Sequence, residues 1–368
     1  MNDLISIPCV LMRGGTSKGP FFLASDLPSD PEKRNALLLE IMGSGHPLQI
    51  DGIGGGNSLS SKVAIVGPST HPEADVDYLF AQVKVLEQSV DTAPNCGNML
   101  SAVGPFALEA GLVQPTGDET LIRVHNVNTG KLIDARVCTP GGRVVYSGEA
   151  SIDGVPGTAA PVYLAFRNAV GAKTGKLLPS GNAVDLIGGF ETTLIDGATP
   201  LVVLKATDFG FTGSEPAAAF DADDAFLNIL ERVRIEAGRL MGLGDVRASV
   251  LPKPVLIGSP KHGGDLAVRY FTPANCHAAL ATTGAVTLGL GATIPNSLIS
   301  QHLLQASLPR TLRWEHPTGE LSVRVEMAPG DNIPTVSVMR TSRRLFEGAA
   351  LVRAAHDNAH SVYGNTSV

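Results

Sequence analysis

The sequence predicts an α+β protein of two similar domains, each a strand-rich layer or barrel around a central helix, with its working site in the cleft between them. Two observations carry that reading. Short strand-like runs dominate a chain with few helical segments, and a helix-then-hairpin pattern recurs in the second half. The recurrence pairs "NCGNMLSAVGPFALEAG" from Asn95 with "NCHAALATTGAVTLGLG" from Asn275, matching Cys96 with Cys276, Leu100 with Leu280, Gly104 with Gly284 and Leu108 with Leu288. Downstream of each stands a second echo, "TGKL" at Thr129 and "TGEL" at Thr318, inside sequence that reads as a hairpin.

In chain order, "ISIPCVLM", "SSKVAIV", "VDYLFAQVKVL", "LIRVHNV", "KLIDARV" and "RVVYSG" are β-branched or aromatic-rich and bounded by turn formers, which predicts strands. Three-to-four apolar spacing in "PEKRNALLLEIM" predicts a helix, and Pro94 to Leu112 predicts a buried one beginning at Cys96. "APVYLAFRNAV" and "PLVVLKA" add strands separated by Gly-rich turns. "DDAFLNILERVRIEAGRLMGL" predicts another helix, with an acidic first turn and "GLG" after it. Strands at "KPVLIGSP" and "LAVRYFT", a helix from about Cys276, another at "NSLISQHLLQA" and a hairpin around "TLRWEHPTGELSVRVEM" complete the pattern. The first β-rich set ends in the Gly-rich region near Lys173 to Ala183. That places one domain at 1–180, a second at 181–355, and a tail at 356–368 that returns to the first domain.

The formal charge of −7 over 368 residues, with no Lys/Arg run interleaved with aromatics, argues against a nucleic-acid surface. Nowhere do 18 apolar residues run uninterrupted, and the N-terminus lacks a basic-then-apolar leader, so a cytoplasmic protein without a membrane span is expected. The four cysteines, Cys9, Cys96, Cys138 and Cys276, are widely spaced and read as free thiols. No C-x-x-C or H-E-x-x-H spacing occurs, so no metal is expected in the chemistry.

Several stretches have the composition of a site. A cysteine at a helix N-terminus meets free N–H groups that favour a thiolate, and the same groups can hold a carboxylate. Cys96 sits in "NCGN", among small turn formers and amides, whereas Cys276 sits in "NCHAA"; burial as a packed thiol is the alternative for each. "MRGGTSKG", Met12 to Gly19, reverses the residue order of a P-loop and reads better as a carboxylate cradle of N–H, hydroxyl and Arg. "DGIGGGNSLSSKVAIV" puts its glycines before a strand rather than between strand and helix, which excludes a dinucleotide fold. Lys62 opens that strand, either as a solvated strand-end lysine or as one desolvated enough to act as a base. His316 and the basic run Arg340 to Gly348 are either turn and surface residues or parts of an anion site.

Together, "IPCVLMRGGTSKG", "SSKVAIV", "NCGNMLSAVGPFALEAGLV" and "CHAALATTGAV" resemble the methylaconitate isomerase (PrpF-like) family, whose fold is of the diaminopimelate-epimerase type. The resemblance spans essentially the whole chain. "IDGIGG" at Ile50 and "ADVDYLFAQV" at Ala74 are most similar to the 4-oxalomesaconate isomerases (tautomerases), which serve the 4,5-cleavage catabolism of protocatechuate and gallate from lignin-derived aromatics.

The resemblance implies a cofactor-free, homodimeric isomerase of a small unsaturated tricarboxylate. It implies Lys62 and Cys96 as the acid/base pair, in either order. Substrate contacts are expected from Arg13, Gly14, Gly15, Thr16, Ser17 and Lys18, from Asn57 and Ser58, from Gly97 and Asn98, and from Cys276 and His277. A 1,3 proton shift on 4-oxalomesaconate needs no metal, because loss of the allylic proton spreads charge into a dienolate. The alternatives are cis–trans isomerisation of 2-methylaconitate, a two-cysteine racemase, and a tricarboxylate-binding protein without activity.

Overall fold

A computed structural model describes residues 3–353, apart from 168, 273–274, 305 and 328–331. The expected tail at 356–368 therefore lies outside the described residues.

The first half is built from three antiparallel strand pairs joined edge to edge in parallel. Leu4–Gly14 pairs with Ser17–Leu23, Lys62–Pro68 with Val76–Val83, and Glu119–Asn126 with Lys131–Cys138. Parallel contacts join one pair to the next, and Pro161–Phe166 adds an antiparallel strand to the third. The second half repeats this order with Phe190–Asp196 and Pro200–Lys205, Lys253–Gly258 and Leu266–Thr272, then Arg310–His316 and Gly319–Glu326. The same parallel contacts connect its pairs. Both "TGKL" and "TGEL" fall at the turn of the third pair, so the second echo marks equivalent positions.

The strand Thr335–Arg353 belongs to both halves. Its first part pairs with Gly319–Glu326 and Pro161–Phe166, and its second part runs along the whole of Leu4–Gly14, closing the first half into a barrel. Within the described residues the chain's return to the first half is thus made by this strand.

Strand alternation splits the apolar residues between two faces of each sheet. Inside the first barrel, Phe21, Ala64, Val66, Tyr78 and Phe80 pack around the helical segment carrying Met99, Leu100, Val103 and Phe106. In the second half Leu201, Val255, Val268, Trp314 and Val323 pack around the helix Thr282–Gly291. On the outer faces, Pro31–Met42 covers one sheet through Leu38, Ile41 and Met42, and Asp224–Leu240 covers the other through Phe226, Leu230 and Val233. Both outer helices begin as their sequences predict, with Asp30 and Asp223 accepting from the third residue on.

Three local expectations are corrected. The buried helix from Cys96 is two pieces, Gly97–Leu100 and Val103–Glu109. Pro105 lacks the N–H that would bond the Ser101 carbonyl, and its ring crowds that carbonyl, so the break falls at Ser101–Ala102. The helix expected from about Cys276 starts at Thr282; Asn275–Cys276 is instead a short strand on the edge of Leu266–Thr272. "RVVYSG" is a loop whose Val144 and Tyr146 pack on the barrel core without joining a sheet ladder.

The first echo is consequently out of register with the fold by five residues. The two central helices are N-capped by Cys96 and Ala281. The glycine that lets neighbouring strands approach the helix is Gly104, against Val137, in one half and Gly289, against Val336 and Val323, in the other. Cys276 belongs to the outer core with Phe220, Phe226 and Phe271 and is not the structural counterpart of Cys96.

Candidate functional site

The N-termini of the two central helices meet across a cleft of about 880 Å³. Cys96, Gly97 and Asn98 form one wall and Ala281 and Thr282 the other. A side chain at Gly97 would begin 3.9 Å from Thr282 Oγ1, so the two mouths face each other closely. Neither Cys96 nor Ala281 supplies a side-chain cap, which leaves first-turn N–H groups available to an incoming anion.

Cys96 is nearly buried in the cleft wall, with its carbonyl accepting from Tyr78 Oη at 3.3 Å. Beside it, Asn95 Oδ1 accepts from Asn126 Nδ2 at 2.6 Å, which ties the segment to the third strand pair. Asn98 Nδ2 donates to Thr16 Oγ1 at 2.9 Å. The Arg13–Gly19 loop lies so close to this helix that a Cβ at Gly14 or Gly15 would collide with Asn98, and Gly15 has φ +53°. That contact explains the adjacent glycines of "RGGTSKG".

Of the expected loop contacts, only Thr16 lines the cleft. Arg13, Ser17 and Lys18 line a neighbouring cavity of about 680 Å³, which shares Thr16 and Gly154 with the cleft as a common wall. Arg13 Nη1 is engaged by Gly15 O, Thr341 O and Thr341 Oγ1 at 2.9–3.0 Å. The Ser17 hydroxyl is buried without a hydrogen-bond partner among the described residues.

Lys62 shares the inward face of its strand with Ala64 and Val66. Its Nζ donates to Gln82 Oε1 at 2.6 Å and lies 5.0 Å from the centre of the Phe80 ring. Gln82 Nε2 in turn donates to Ser61 O at 2.8 Å and Ser58 O at 3.2 Å, while Asn57 Oδ1 accepts from Leu59 N. Asn57 and Ser58 therefore shape the loop that holds Gln82. Lys62, Asn57 and Ser58 are not among the residues lining the cleft.

In the second half, Cys276 and His277 also lie off the cleft lining. Burial pushes the Cys276 thiol up to about 12, and its backbone N–H donates to Asp221 Oδ1 at 2.6 Å. His277 Nδ1 is held against the backbone of Ala279. What that half does contribute is Arg340, Thr282, His316 and Glu320.

Arg340 donates from Nη1 to Met339 O at 2.9 Å and from Nη2 to Thr282 Oγ1 at 3.3 Å, and no carboxylate among the described residues pairs with it. Desolvation lowers its pKa to about 10. A half-buried guanidinium without a counter-charge at the mouth of a helix is an anion receptor. His316 is pulled down to about 4 by desolvation, with Arg269, Arg340 and His277 adding to the effect against Asp153, so the cleft holds a neutral imidazole at pH 7. Burial raises Glu320 against the opposing pull of Arg313. In sequence, Arg340 and His316 fit surface and turn positions as well as an anion site; the pairing of Thr335–Arg353 with Pro161–Phe166 is what aims Arg340 at the helix.

Among the described residues no group of three or more His, Cys, Asp or Glu is arranged to hold a metal, and no helix is long and apolar enough to cross a membrane.

Residues 4–353 match the family model described as PrpF protein. The chain is 52% identical to YbhH of Escherichia coli (strain K12), named as an isomerase without a substrate, over 93% of this chain and 98% of that protein. It is 47% identical to the (4E)-oxalomesaconate Delta-isomerase of Novosphingobium sp. (strain KA1), over 95% of this chain and 98% of that one. A crystal structure of methylitaconate-delta-isomerase superposes with a TM-score of 0.85 at 36% identity, covering 98% of this chain and all of its own.

Proposed function

The chain belongs to the PrpF family and is an isomerase, and from that premise we propose that it is a cofactor-independent 1,3-allylic isomerase of 4-oxalomesaconate. The observation that supports this most directly is the cleft itself. Two helix mouths and Arg340, which has no carboxylate partner among the described residues, converge on one space beside Cys96, an arrangement suited to a substrate with several carboxylates and one labile proton.

In this reading, Arg340 on one wall of the cleft and the N–H groups at Gly97 and Asn98 on the other hold the substrate's carboxylates. They also bear the charge that spreads through the dienolate once the allylic proton leaves. Lys62 takes that proton as the base, and the Cys96 thiol returns one to the far carbon. Cys96 is among the residues lining the cleft, whereas Lys62 lies outside that lining, on the inward face of its strand. The pathway we assign to this reaction is the 4,5-cleavage catabolism of protocatechuate or gallate. The domains are taken as 1–180 and 181–355, and the enzyme as a cytoplasmic homodimer.

A purified, chelator-treated sample given 4-oxalomesaconate in deuterium oxide is expected to change the substrate's ultraviolet spectrum and to place one solvent deuteron at one carbon. Binding with neither change defeats the assignment in favour of a carboxylate-binding protein. The likeness to isomerases of methyl-substituted unsaturated polycarboxylates favours 2-methylaconitate as second reading. The ratio of kcat/KM for the two acids decides between them.

A further inference from the structure

Beside the cleft, three cations stand in a row across three adjacent strands. In the antiparallel registers, Arg13 lies directly opposite Lys18 on one neighbouring strand and directly opposite Arg343 on the other. Residues paired in this way share a face with Cβ atoms about 4.5–5.5 Å apart, and like charges so placed are destabilising. All three residues line the 680 Å³ cavity, which has no acidic residue in its lining among the described residues. None of the three forms a salt bridge among the described residues. Arg13 is held below its ordinary range by burial and by the charge of Arg343.

We propose that this cavity is a second anion-binding pocket, separate from the isomerase cleft, in which Lys18, Arg13 and Arg343 together hold a small oxyanion of two or more charges, a polycarboxylate or a phosphate. Two features support a built pocket over a merely solvated basic face. Arg13 is anchored through Nη1 by Thr341 and Gly15, which fixes the middle of the row. The wall of Thr16 and Gly154 divides the pocket from the cleft, and Thr16 is itself fixed to Asn98. Bound anion would relieve the repulsion along the row and add charge-assisted hydrogen bonds. The assignment holds for any substrate of the cleft, so its test uses anions that cannot isomerise.

Thermal unfolding of the full chain is measured with inorganic phosphate, with tricarballylate and with chloride, at matched ionic strength. The expected result is a higher Tm with phosphate or tricarballylate than with chloride. The larger of the two rises names the ligand's source. In R340Q, which removes the cleft's own anion receptor, part of the rise remains. Adding R343Q to R340Q, and more completely R343Q with K18Q, abolishes that remainder, while the Tm in chloride is unchanged or higher because like charges have been removed. A rise as large in R340Q/R343Q/K18Q as in R340Q, complete loss of the rise in R340Q alone, or equal Tm values for wild type in all three salts overturns the proposal.

Discussion

Lys62 Nζ donates to Gln82 Oε1 at 2.6 Å, and the same amide donates to the carbonyls of Ser61 and Ser58. The side-chain amide is thereby fixed at both ends, and the lysine head group has one defined position above Phe80. A group that moves protons gains from such placement, because misorientation by an ångström costs about 100-fold in rate.

Substituting Gln82→Ala is therefore expected to lower kcat by about 10-fold to 100-fold with little change in KM, since the lysine loses orientation and the carboxylate holds are untouched. Gln82→Glu places a carboxylate on the ammonium and moves the ascending, acidic limb of the pH–rate profile to higher pH. Unaltered profiles in both variants would show that Gln82 serves only the fold.

Arg340 has no carboxylate partner among the described residues. Arg340→Gln is expected to weaken kcat/KM by about 10-fold to 100-fold, the loss of a hydrogen bond to a charged group of about 1.5–3 kcal/mol. The same change raises Tm, because a desolvated charge is removed. Steady-state kinetics and calorimetry on one preparation check both; a fall in activity with a fall in Tm contradicts the receptor role.

His316 binds protons less readily when folded, with its pKa near 4 against an ordinary 6.5. Between those values the unfolded chain holds more protons, so stability is fully present above about pH 6.5 and is lost as pH falls towards 4. His316→Gln is expected to flatten that part of the stability curve, seen as a smaller Tm difference between pH 7 and pH 5. An unchanged difference would place the imidazole in water.

Cys276 sits in the outer aromatic core and away from the cleft. Cys276→Ser is expected to leave turnover within about twofold and to cost about 1–3 kcal/mol in denaturant melts, because a hydroxyl is buried among aromatic rings. Cys96→Ser is expected to cut turnover with a small effect on stability. Equal loss of activity in the two variants would revive a two-thiol mechanism.

How much of this was legible in the sequence differs from residue to residue. "PEKRNALLLEIM" and "DDAFLNILERVRIEAGRLMGL" carry their own periodicity and caps, so both outer helices are readable locally. The strand runs and the "TGKL" and "TGEL" turns are local too, and they placed the third strand pair of each half correctly. Cys96 at a helix mouth was readable because small and amide residues surround it.

Other features depend on which strands pair, and that is settled by long-range packing. The sequence match of Cys96 with Cys276 is real as letters, yet strand addition at Asn275–Cys276 turns that thiol into the outer core and shifts the helix start to Thr282. Arg340 reaches the cleft, and Arg343 stands beside Arg13, only because one strand joins both halves and pairs in a single register. Local residue chemistry thus determined which groups were available. The register of Thr335–Arg353 decided which of them face a common space, since a slip of one residue would turn each to the opposite side of the sheet.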